Sequence, residues 1–174
     1  MSIKTPQAAQ LEIIGSTEYI EIAGEKHIPA KIDTGADTSS VWASGIEMKK
    51  DGILVFSLFG PKSPYYTGKQ LKTTDYKAKV VRSSHGDTQV RYRVKLPVKL
   101  GNQAFETSFT LANRSRNVFP ILIGRHTIDG RYLVDVSRRV IDQQNNRETK
   151  RLNQELEKDP YDFHQKYVKS KGAK

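Results

Sequence analysis

The chain has 174 residues, no cysteine, and 29 Lys and Arg against 19 Asp and Glu, a formal net charge of +10. That length suits one domain with appendages, and the missing thiols exclude disulfides and thiolate catalysis. The polar first ten residues, the brevity of the apolar 11–15 stretch and the lack of any membrane-length apolar run predict a soluble, cytoplasmic protein with no membrane partner.

In chain order, the first strong signal is a hairpin. Residues 19–22 and 28–32 read as strands around the turn Ala23-Gly24-Glu25, with Ile28, Ala30 and Ile32 on one face. The second strand runs into Asp33-Thr34-Gly35-Ala36-Asp37, a carboxylate at a strand end followed by a small hydroxyl residue and a glycine. Gly35 permits a sharp turn and close approach of another chain, and Thr34 is placed to steady the Asp33 carboxylate. A further β-rich run spans 52–59 and closes at Gly60-Pro61; residues 62–70 read as a loop. In the 49–74 stretch, Tyr65 and Tyr66 either line a substrate cleft or cover a core edge.

Strands follow at 76–82, 89–96 and 105–111, the last two joined by a hairpin through Gly101-Asn102, and Ser83-Ser84-His85-Gly86-Asp87 reads as a turn. After Ile121-Leu122-Ile123-Gly124-Arg125 a short helix is predicted over 126–129, then a strand over 131–137. Many short strands at regular spacing predict an all-β barrel or sandwich. From 143 to 158 the composition favours a helix whose only paired apolar positions are Leu152 and Leu156. Asp159-Pro160 ends it, and Tyr161, Phe163, Tyr167 and Val168 suit a second small amphipathic piece. The expected organisation is an N-terminal arm (1–15), a β-barrel domain (16–140) and a charged helical tail (141–174).

Asp33-Thr34-Gly35-Ala36-Asp37 resembles the active-site loop of retropepsin-like aspartic proteases. Gly124-Arg125 after an apolar strand resembles the motif that the same family places before its helix, and the feeder hairpin matches in kind. The pattern over roughly 15–140 most resembles a bacterial retropepsin-like family long labelled "ATP-dependent zinc protease". That family occurs alongside ATP-grasp peptide ligases such as the ribosomal-protein glutamate ligase.

The resemblance implies a closed acid-protease barrel with one short helix, and an aspartic endopeptidase acting on a peptide or protein substrate. Such enzymes use two carboxylates sharing one proton. One Asp-Thr-Gly per chain therefore implies a homodimer, with Asp33 facing its twofold mate and residues 131–137 as the pairing strand. In the family, Thr34 locks the two loops together and Gly35 offers its backbone to substrate. Ala36, Asp37, Gly124 and Arg125 support the site, with a buried Asp37–Arg125 pair whose loss is expected to disrupt folding or dimerisation. Ser83, Ser84, His85 and Gly86 are the candidate flap or else an ordinary hairpin turn. The tail beyond residue 141 either blocks or reinforces dimerisation.

The four histidines show no metal-ligand spacing, and neither a phosphate loop nor a nucleophile elbow is present, so no metal and no cofactor is expected. The basic charge suits an acidic substrate, and also nucleic acid or ribosome contact, although Lys and Arg are scattered and no RNA-binding signature accompanies them. The alternative to catalysis is a peptide- or ribosome-binding module on the same barrel.

Overall fold

The computed structural model describes residues 11–82, 88–140 and 147–167. The chain divides into two units, Met1–Ile141 and Asp142–Lys174.

The first unit is built on the feeder hairpin. Strands β2 (Thr17–Ile22) and β3 (Glu25–Ile32) meet at Ala23-Gly24, where φ of 49° and 89° gives the turn whose twist matches the strands it joins. Lys26 and His27 together face Glu21, a bulge in which His27 takes φ 56° and stacks on Tyr19 with ring centroids 3.7 Å apart. Beyond the bulge the alternation resumes and buries Ile28, Ala30 and Ile32, as their spacing predicts.

Closure depends on one short strand. β10 (Ile121–Ile123) pairs parallel with β3, Ile121 opposite Ala30 and Ile123 opposite Ile32. It also pairs antiparallel with β4 (Ser39–Met48), Ile121 opposite Val41. β4 lies parallel to β9 (Gln103–Ala112), β9 antiparallel to β8 (Thr88–Leu100), and β8 antiparallel to β2. The ring β10-β3-β2-β8-β9-β4 is thus a closed six-stranded barrel. Its interior holds Ile20, Ile32, Val41, Val94, Leu100, Phe109, Leu111, Ile121 and Ile123. Burying each such side chain stabilises the fold by about 1.5–3 kcal/mol before chain entropy is counted.

Three pieces extend the ring. β4 bulges at Gly45 and continues as the partner of β5 (Leu54–Leu58), which pairs with β6 (Gln70–Thr73). Tyr65 and Tyr66, between these strands, pack on the core, Tyr65 edge-on to Phe59 at 5.9 Å, so they cover a core edge. β7 (Tyr76–Arg82) forms a long hairpin with β8, paired as far as Arg82 opposite Thr88. A separate two-stranded parallel sheet joins β1 (Glu12–Gly15) to β11 (Tyr132–Asp135). One helix, α1 (Arg125–Ile128), follows β10.

The second unit is a helical pair, α2 (Arg147–Lys158) and α3 (Pro160–Tyr167), with Pro160 at the first helical position, where its missing N–H costs nothing. Phe163 and Tyr167 meet one turn apart, and Glu155 accepts from Tyr167 at 2.7 Å and from Arg151 at 3.1 Å. Among the described residues no helix is long and apolar enough to cross a membrane.

Candidate active site

Asp33 leaves β3 where β10 runs alongside it, and its own N–H donates to Ile123 O at 2.8 Å. The chain then turns back, with the Ala36 N–H donating to Asp33 O at 3.2 Å. The half-buried Asp33 carboxylate accepts the Gly35 N–H at 3.1 Å. Backbone, not the Thr34 hydroxyl, therefore holds the carboxylate within one chain. Thr34 is exposed and its hydroxyl makes no hydrogen bond among the described residues.

The far side of the loop is fastened to the β10–α1 junction. Arg125 N–H donates to Ala36 O at 2.7 Å and His126 N–H to Asp37 O at 3.1 Å. Gly124 N–H donates to the Ser39 hydroxyl at 3.0 Å. A Cβ on Gly124 would lie 2.6 Å from the Thr38 carbonyl carbon and 2.9 Å from Ala36 O, so only glycine fits between loop and helix. The sequence signal for Gly124 is thus a close approach of two backbones.

Behind this junction runs a buried chain of hydroxyls that sequence reasoning missed. Ser39 Oγ lies 2.8 Å from Thr127 Oγ1, which lies 3.0 Å from Thr107 Oγ1, and Thr110 donates to Ser39 O at 3.2 Å. It ties β4, β9 and α1 to the back of the loop. The only available signal was a run of Thr38, Ser39 and Ser40 at a strand start with Thr127 soon after Gly124.

Arg125 and Asp37 do form an ion pair. The expectation of burial fails: their side chains are 59% and 65% exposed. A pair wetted on both sides fastens the loop far more weakly than its backbone bonds do. The Arg125 guanidinium still holds the Asp37 carboxyl below the usual carboxylate range, by hydrogen bond first and charge second.

Arg114, half-buried in the loop after β9, adds a second feature that went unread. Its Nε donates to Phe119 O at 3.1 Å. Burial pulls its pKa down, the charge of Arg91 on β8 adds to that, and the negative charge of Asp33 opposes it. Arg114 therefore feels both the Asp33 carboxylate and Arg91 of the β7–β8 hairpin. The candidate flap residues Ser83, Ser84, His85 and Gly86 lie outside the described residues. Among the described residues no group of three or more His, Cys, Asp or Glu side chains is gathered as a metal site requires.

A family model described as RimB-like, retropepsin-like aspartic endopeptidase RimB, matches residues 13–145. The chain belongs to this family. The aspartic-protease-like fold follows from that membership, and the six-stranded ring agrees with it. A solved structure from Legionella pneumophila, of a protein of unknown function, is 27% identical at a TM-score of 0.52, covering 73% of this chain and 95% of that one. Among curated proteins, a "Probable alpha-L-glutamate ligase" of Shewanella halifaxensis is 31% identical over 80% of this chain and 32% of its own length. One of the same name from Desulfotalea psychrophila is 28% identical over 71% of this chain and 28% of its own. The chain spans about a third of the length of these curated relatives.

Proposed function

We propose that the chain is an aspartic endopeptidase that completes its catalytic pair as a homodimer. The observation that carries this reading is the state of the Asp33 loop. Its carboxylate is oriented by the Gly35 N–H and its back is fixed to β10 and α1 by backbone bonds, while Thr34 and Gly35 themselves stand exposed. A loop finished on one side and bare on the other suits contact with a twofold mate.

In the dimer two Asp33 carboxyls face each other and hold one proton between them, because like charges about 3 Å apart cannot both ionise. The ionised one takes a proton from a water as that water adds to the scissile carbonyl carbon. The protonated one donates to the carbonyl oxygen. The tetrahedral diol then collapses, its C–N bond breaking as a proton passes to the leaving amine. Thr34 hydroxyls bind across the dyad and keep the two loops in register. Arg114 favours substrates carrying carboxylates beside the cleaved bond.

The β1–β11 sheet supplies a surface for the mate. Ile13 and Leu133 stand opposite each other in register and are 51% and 54% exposed, with Val136 72% exposed nearby in sequence. Apolar side chains in that number on a two-stranded sheet suit burial against a second copy. The relatives' ligase names support a functional link to an ATP-grasp ligase, with acidic, glutamate-bearing peptides as the substrate class.

The test is cleavage of a peptide library containing glutamate-rich members by wild type and Asp33→Asn, from acid to neutral pH, with and without EDTA. The expected result is cleavage indifferent to EDTA and reduced at least about a hundredfold in the variant. Loss to EDTA would assign the chemistry to a metal. Inert wild type across the library would favour the binding-module reading.

A further inference from the structure

A polar cavity of about 340 Å³ opens beside Thr38, at the end of the loop that carries Asp33, and two members of the hydroxyl chain, Ser39 and Thr107, belong to its lining. Its nitrogen donors come from two elements. Arg93 and Lys95 sit two residues apart on β8 and so share one face, and His126 follows Arg125 in α1. Thr38 and Ser108 add hydroxyls, Ser108 directly opposite Lys95 in the β8–β9 register. Glu106 is the one acid in the lining.

These donors are poorly used by the protein itself. Among the described residues Arg93 has no ion-pair partner, and Lys95 reaches only Asp75, at 3.6 Å, too far for a hydrogen bond. The Thr38 and Ser108 hydroxyls make no hydrogen bond among the described residues. A guanidinium fork, an ammonium, an imidazole and two hydroxyls thus line one small space against a single carboxylate. A carboxylate ligand has two oxygens in one plane and would leave most of these donors idle. A tetrahedral oxyanion offers three oxygens in three directions, matching donors that arrive from a strand pair and from a helix.

We propose that this cavity binds the phosphate group of a small anionic ligand. Its volume lies at the lower end of small-molecule sites, suiting a phosphate or pyrophosphate with little else attached. Ser39 belongs to the cavity lining and also holds the Gly124 N–H. An occupant therefore stiffens the same junction that anchors the Asp33 loop, and ligand binding reaches that loop through one side chain.

A second cavity gives a built-in control. It is larger, about 560 Å³, and lined by Lys49, Lys50 and Lys72 with Ile53 and Val55, carrying lysine charge without hydroxyls or an arginine fork.

The experiment is a calorimetric and amide-NMR titration of the 174-residue chain with inorganic phosphate, pyrophosphate and free glutamate at constant ionic strength. Expected are saturable binding of phosphate or pyrophosphate, weaker binding of glutamate, and amide shifts at Thr38, Ser108 and His126. Arg93→Gln with Lys95→Gln weakens binding at least about tenfold, equivalent to about 1.4 kcal/mol, while Lys50→Gln with Lys72→Gln leaves it unchanged. Should the double variant misfold by circular dichroism, Arg93→Gln alone carries the same expectation. Absence of saturation, equal weakening by the lysine control, or glutamate binding as tightly as phosphate would each overturn the proposal.

Discussion

The Asp33 loop and the β1–β11 sheet make opposite use of backbone hydrogen bonds. At the loop, donors from Asp33, Ala36, Gly124, Arg125 and His126 all find acceptors within 3.2 Å. In the sheet, among the described residues, β1 and β11 pair only with each other, and the apolar side chains Ile13 and Leu133 stay in solvent. Unpaired edges and exposed aliphatic surface are costly to leave open. The comparison teaches that rigidity at the carboxylate is supplied within one chain, whereas the sheet keeps aliphatic side chains in solvent, the face on which the proposed dimer is tested.

The loop side of that contrast is broken most directly at Gly124. Gly124→Ala forces a methyl into the Thr38 and Ala36 backbones and is expected to destabilise the fold by about 3 kcal/mol, read as a lowered denaturant midpoint. An unchanged midpoint would mean that the loop is not clamped there. Adjacent serines sharpen the point. Ser39→Ala removes a hydroxyl holding both Gly124 N–H and Thr127, at about 1–3 kcal/mol. Ser40→Ala removes a buried hydroxyl with no partner among the described residues, so its midpoint should stay level or rise by up to about 1 kcal/mol.

On the sheet side, buried Tyr132 donates its hydroxyl to Leu100 O at 2.8 Å and joins β11 to the barrel. Tyr132→Phe is expected to cost about 1 kcal/mol. Burial first, then the Glu12 carboxylate, push the Tyr132 pKa up to about 12. The unfolded chain releases this proton near pH 10, so stability is complete below that and declines as pH rises toward about 12. A pH series of denaturant midpoints should show this alkaline loss in wild type and less of it in the phenylalanine variant. The smallest stability effect belongs to Leu133→Asp, within about 0.5 kcal/mol for the isolated chain. Its effect appears in association: analytical ultracentrifugation should find wild-type dimer lost in the variant, and a monomeric wild type would break the comparison.

How much of this was legible varied with how local the cause was. The hairpin turns at Ala23-Gly24 and Gly101-Asn102, the alternation of Ile28, Ala30 and Ile32, and the Asp33-Thr34-Gly35 and Gly124-Arg125 signals are written in adjacent residues. Double pairing of β10 is not, since register between strands some ninety residues apart leaves no local trace. Ser39, Thr107 and Thr127 look like ordinary hydroxyl residues until the fold stacks them. The Asp37–Arg125 pair was readable as a pair, but its exposure depends on what covers it, which pairing alone does not encode.

β10 has a consequence in time. Three residues close the barrel and also accept the Asp33 N–H, so the Asp33 loop and that barrel seam depend on the same strand. During synthesis Asp33 leaves the ribosome roughly ninety residues before Gly124, an interval of about 5–20 s at ordinary elongation rates. Until then the loop lacks the β10 and α1 backbone groups that fasten it, and a truncated or stalled chain carries the motif without that clamp. Late delivery of a three-residue strand thus leaves the Asp33 loop unfastened until most of the barrel sequence has been made.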